Sequence, residues 1–232
     1  MTGAFTTRPE IQGTFGVCTS THWIASAVGM RMLEAGGTAA DAAVAIGFTL
    51  TVVEPHLNGP LGDLVGMVWE PGAEAPKVLC GQGVAPAGAT NAHYRAEGLE
   101  FVPGSGLLAT VVPGAFDAWM LMLRDHGRLS LRDVLEPAIQ YARAGHPLLP
   151  RVSDVIRSLA PYFESDWPTS FATWVPGGKV PDAGALFANP ALADTWERLL
   201  TEAETAPDRE AQIEAARRIH REGFIAEAVD AW

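Results

Sequence analysis

Residues 34–46 read EAGGTAADAAVAI, and this stretch limits the fold more than any other in the chain. A glycine pair separates two helical segments, the second built almost wholly from small residues. Such a run either cradles a phosphate on a glycine loop or turns a tight corner between two packed helices. Before it, Ile24, Val28 and Met32 recur at i+4 spacing, which predicts a helix over 21–35. Gly36 follows where a helix ends on a left-handed residue. Thr38, with Asp41 three positions on, forms a capping pattern for a second helix over 39–53. From Ala42 to Val53 that helix is apolar on all sides and closed by Asp41 and Glu54. It is shorter than the ~18 residues a membrane span needs, so it is expected to be buried in a core.

The phosphate alternatives fail on spacing. GQGVAP at 81–86 has Pro86 where a dinucleotide loop needs its third glycine. Gly178-Lys179 is followed by Val180 and not by Ser or Thr, and Gly104-Ser105-Gly106 lacks the spacing of a nucleophile elbow. The remaining pattern alternates strands and helices. GTFGVCTS at 13–20 is expected to be a short buried strand, with 64–70 and 77–83 forming a hairpin and 107–112 another extended run. Pro113-Gly114 opens a helix. Ser130 to Asp133 caps the next, and one more starts near Val152. The Pro- and Gly-rich stretch 167–188 is expected to be irregular. Asn189-Pro190 opens a further helix, and 209–223 is amphipathic. Residues 1–12 are expected to be an N-terminal segment, with 13–232 forming one domain.

Composition excludes several functions. Hydrophobic residues are 48% of the chain and charged residues 19%, so there is ample material for a core. The formal net charge is −11, and a nucleic-acid partner is not expected, because counterion release needs clustered Lys and Arg. The most basic run, Arg217, Arg218, His220 and Arg221, is flanked by Glu214 and Glu222 and is expected to be a solvated helix face. Cys18 and Cys80 form no CxxC and are expected to be buried thiols. No signal peptide is visible, so the cytoplasm is the expected location and no membrane partner is expected. The six histidines show no metal-ligand spacing, and no metal is expected. His22 and His56 lie beside capping or glycine-rich elements. Glu54 and Asp63 flank the HLNGPLG turn and could serve acid–base chemistry, although a helix end and a strand start explain them equally well. Residues alone give no complete catalytic set.

Several stretches, in order, carry a resemblance. STHWIASAVGMRMLEAGGTAADAAVAIGFTLTVVEPHLNGPLGD (20–63), APAGAT (85–90), TVVPGAFDAW (110–119), LEPAIQYARAGHPL (135–148), LFANPALADTWERL (186–199) and GFIAEAVDA (223–231) resemble the large subunit of the γ-glutamyltransferase family of N-terminal-nucleophile enzymes. The resemblance implies an α+β fold, the four-layer αββα sandwich, of which this chain would supply an incomplete large-subunit part. It implies a proenzyme that cleaves itself, a small-subunit partner from the same precursor, and no cofactor. The nucleophile would be the new N-terminal threonine of the small subunit, with its α-amino group as base. The product is an acyl-enzyme that passes to water or to an amine acceptor. The Thr-Thr-His cleavage motif and the downstream oxyanion segments are absent here, so the nucleophile is expected beyond Trp232 and no catalytic residue within this chain. Phe224, Ile225, Ala228, Val229 and Trp232 mark one apolar helix face that ends without a stop signal, as expected for part of a longer chain.

One departure bears on substrate. Family members acting on γ-glutamyl compounds have an arginine before Met-Ala-Pro-Ala that clamps the substrate carboxylate. Gln82 stands at that position here. A neutral amide cannot form the bidentate charged pair of a guanidinium. This, with HLNGPLGD at 56–63, leans towards cephalosporin-acylase-like and oxamate-amidohydrolase-like branches. A non-catalytic remnant of the scaffold is the third reading.

Overall fold

The computed structural model describes residues 10–232, so the first nine residues of the expected N-terminal segment lie outside it. The first helix, α1 (Trp23–Glu34), ends in the manner its glycines dictate. Gly36 takes φ 88°, its N–H donates to Leu33 O at 3.0 Å, and the Gly37 N–H donates to Met32 O at 2.9 Å. This paired arrangement satisfies the last carbonyls of α1 and reverses the chain. The next helix, α2 (Ala39–Val53), starts on a complete capping box between Thr38 and Asp41. Its small residues admit close neighbours: Gly29 of α1 sits against the Ile46 side chain, and Gly47 sits under the Trp119 indole. Val44, Ala45 and Val53 are fully buried, as the all-apolar pattern requires.

A hairpin follows, β1 (Leu64–Val68) and β2 (Lys77–Gly81), antiparallel with Leu64 opposite Gly81 and Val68 opposite Lys77. Then come α3 (Asn91–Ala96), which the sequence did not announce, α4 (Ala115–His126) and α5 (Leu131–Ala144). A two-residue strand, β3 (His146–Pro147), leads into α6 (Pro150–Asp166) and α7 (Pro168–Trp174). Its partner β4 (Leu186–Phe187) precedes α8 (Pro190–Ala203), α9 (Arg209–Glu222) and α10 (Phe224–Asp230). The main core joins α1, α2, α4, α5, α8 and α9. At its centre Trp196 stacks on Phe116 at 5.7 Å and meets Phe48 edge-on at 5.5 Å. A second, smaller cluster of Leu148, Val152, Ile156, Val175 and Phe187 holds α6 and α7 beside it.

Several expectations are corrected. Residues 13–20 form bends and coil, because among the described residues no strand lies alongside to complete a ladder. The 107–112 run opens with a 3-10 turn at Leu107–Ala109 and continues extended without joining a sheet. The 167–188 stretch contains α7 and β4, since Pro168 starts a helix as readily as it ends one. Cys18 is half-buried and Cys80 exposed, so neither is the fully buried thiol expected. Burial still pushes the Cys18 thiol up. Among the described residues no helix is long and apolar enough to cross a membrane.

Candidate functional site

A groove of about 1020 Å3 opens between the hairpin, the 110–114 segment, α4 and the α9–α10 pair. Its lip is set by backbone contact. The Val112 N–H donates to Val84 O at 2.9 Å, and the Ala115 N–H donates to Gly62 O at 3.1 Å. Gly83 has φ 83°, and a side chain there would run into Val112 O. A Cβ on Gly114 would lie 2.6 Å from both Gly81 O and Gly83 N. Only glycines let these two segments cross so closely. Gln82 is thereby fixed between Gly81 and Gly83, exposed beside the groove, and its Oε1 accepts from the Cys80 thiol at 3.4 Å.

The opposite wall is charged. Arg217 of α9 donates to both oxygens of Asp117 on α4, at 2.6 and 3.0 Å, and to Glu214 at 2.9 Å. Its side chain is only 16% exposed. The Asp117 hydrogen bonds hold its guanidinium above the usual range. Its donors are committed to carboxylates, so it is not a spare clamp for a ligand anion. His220, one turn on, is buried and stacks on Phe116 at 4.3 Å, nearly parallel. Burial lowers its pKa to about 4, with Asp117 acting in the opposite sense. The expected solvated face therefore holds for Arg218 and Arg221 and fails for Arg217 and His220. The signal was present, since Ile213, Ala216, Arg217 and His220 fall on one helical face.

The other sequence candidates lie elsewhere. His22 is the N-cap of α1: the Ile24 N–H donates to its Nδ1 at 3.1 Å, which requires a neutral ring. Burial lowers its pKa, and the Glu54 charge opposes that. Glu54 caps the end of α2, buried, and its carboxylate accepts from the Thr21 hydroxyl. His56 is half-buried and Asp63 exposed. No hydrogen bond joins Gln82 to any of these four, and none of them lines the groove. Among the described residues no cluster of three or more His, Cys, Asp or Glu could hold a metal ion.

Residues 25–228 match the family Gamma-glutamyltranspeptidase. The chain belongs to that family. It is 36% identical over 200 residues to the "Glutathione hydrolase-like YwrD proenzyme" of Bacillus subtilis, covering 85% of this chain and 37% of that protein. The solved structure of LmbA2991HD is 58% identical, with a TM-score of 0.93, over 97% of this chain and 38% of that one. The cephalosporin acylase from Bacillus halodurans is 28% identical with a TM-score of 0.80, over 98% of this chain and 42% of that one. The chain thus spans roughly two-fifths of the length of the relatives it matches. In the family's αββα sandwich, it supplies helical layer and a two-stranded piece of sheet, the incomplete large-subunit part that the resemblance implied.

Proposed function

We propose that the protein to which these residues belong cleaves a γ-glutamyl amide bond through an acyl-enzyme, after autocatalytic maturation. The observation that carries this is the family match across nearly the whole chain together with close similarity to a glutathione hydrolase-like proenzyme. In this reading, a threonine outside residues 1–232 attacks the amide carbon with its hydroxyl oxygen. The hydroxyl proton passes to the threonine's own α-amino group and from there to the departing amine. The resulting ester is opened by water, giving hydrolysis, or by an amine, giving transfer. The present chain contributes no nucleophile; it supplies one wall of the cleft and the scaffold.

The hairpin supports a small-subunit partner. Its inner face, with Leu79 and Gly81, rests on the helical layer, while Val65, Met67, Trp69 and Val78 on the outer face are between 62% and 73% exposed. Strands apolar on both faces belong in sheets covered on both sides, and a two-stranded sheet is marginal alone. A second sheet, from the small subunit, covers that face in this proposal.

A second reading is favoured by Gln82. Without an arginine at that position the cleft lacks the charged clamp for an α-carboxylate, and an acylase or amidohydrolase acting on another amide fits the same scaffold. Turnover of γ-glutamyl-p-nitroanilide by the full-length protein, measured beside a glutaryl or cephalosporin amide, separates the two. Preference for the γ-glutamyl compound upholds the first reading, and preference for the other amides replaces it with the second.

A further inference from the structure

The main core and the smaller α6–α7 cluster meet at a small cavity of about 10 Å3, largely apolar but with three polar side chains on its wall. It is lined by Thr51 and Val52 of α2, His146 of β3, Trp174 of α7, Phe187 of β4 and Asn189, the N-cap of α8. His146 is only 2% exposed, and neither ring nitrogen has a hydrogen-bond partner in the protein. A neutral imidazole carries one donor and one acceptor. Leaving either unpaired in the interior is unfavourable, because the desolvated group has lost its bond to water. The other polar groups on the wall have capacity to spare. The Thr51 hydroxyl donates to Phe48 O at 2.7 Å and can still accept. The Asn189 Oδ1 accepts from the Leu192 N–H at 3.2 Å, which leaves its NH2 as a donor.

A cavity of roughly 10–15 Å3 admits one water molecule, and buried waters sit where two to four polar partners converge. We propose that this cavity is a binding site for a single structural water, hydrogen-bonded to the His146 ring and to the side chain of Thr51 or Asn189. A water fits better than an ion, because the wall carries no formal charge while the ring is neutral. Burial, with a smaller effect of nearby His22, lowers the His146 pKa to about 4 and keeps it so. The water links α2 and α8 of the main core to β3, the strand that leads into α6. It is independent of the proposed chemistry at the groove.

A crystal structure of the protein at a resolution that shows ordered solvent tests this. The expected result is one density peak about 2.7–3.2 Å from a His146 nitrogen and from a polar atom of Thr51 or Asn189. In His146→Phe, which keeps a planar ring but no nitrogen, the peak is expected to vanish. An empty cavity in the wild type overturns the proposal. So does a His146 ring turned to bond a protein group directly, or a peak that persists unmoved in His146→Phe. If the variant does not fold, the wild-type density decides alone.

Discussion

Asp41 is the side chain on which the helix corner depends, and replacing it with asparagine measures how much. The residue is fully buried. Its Oδ2 accepts from the Thr38 N–H at 2.6 Å and from the Thr38 hydroxyl at 3.0 Å. The Arg128 N–H reaches both oxygens at 3.0 Å, and the Leu129 N–H reaches Oδ1 at 3.0 Å. Three backbone N–H groups converge on one carboxylate, together with the Thr38 hydroxyl, which also faces the His126 carbonyl at 2.9 Å. Asparagine has the same shape but must aim an NH2 at some of those donors. Either orientation orphans one backbone N–H, that of Leu129 or that of Thr38, at about 1–3 kcal/mol. The surviving bonds become neutral and lose roughly half their strength. Together these give a loss of about 3 kcal/mol for Asp41→Asn, and about 5 kcal/mol for Asp41→Ala, which orphans three backbone N–H groups and leaves the Thr38 hydroxyl on the His126 carbonyl. Urea unfolding of the protein should show a lower midpoint at unchanged slope. Hydrogen exchange should quicken at the Arg128 and Leu129 amides. An Asp41→Asn variant within about 0.5 kcal/mol of wild type would refute the reasoning.

Three further outcomes are expected. His146 and His220 both fold with pKa values of about 4, below the ordinary 6.5. The unfolded chain therefore takes up protons first as pH falls. Their stability is fully present above pH ~6.5 and is lost progressively as pH drops towards about 4. Between pH 7 and 5 the pair accounts for a loss of about 4 kcal/mol, and unfolding midpoints measured across that range in wild type and in His146→Gln/His220→Gln check it, the double variant being flatter. Gly83→Ala should cost about 2 kcal/mol or more, because φ 83° and the Val112 carbonyl both oppose a side chain. A variant as stable as wild type contradicts the crossing as the lip of the groove. Gln82→Arg should lower KM for γ-glutamyl-p-nitroanilide by about tenfold in the full-length protein if the clamp position is correctly assigned, and an unchanged KM removes Gln82 from the site.

Local rules made much of this fold legible. The glycine pair, Thr38 with Asp41, Ser130 with Asp133 and Asn189-Pro190 all sit at the helix ends their chemistry predicts, because a cap is settled within a few residues. The two hairpin strands follow from two short apolar runs separated by a stretch rich in turn residues. The family was legible too, since its marker is the helix corner itself.

What the sequence could not carry is where long-range partners fall. Asp41 reads as a capping residue, yet half of its donors come from the loop after α4, which only packing brings to it. Arg217 reads as part of a basic, solvated run until Asp117, far away in the chain, claims it. His220 is buried because Phe116 lies flat against it, and Cys80 is exposed because its strand has no second sheet against that face. The Gly83–Gly114 crossing beside Gln82 likewise exists only once two distant segments meet. Propensity and capping act over one helical turn and are written in adjacent residues. Burial and pairing depend on which surfaces meet, and that is decided only when the whole chain has closed on its core.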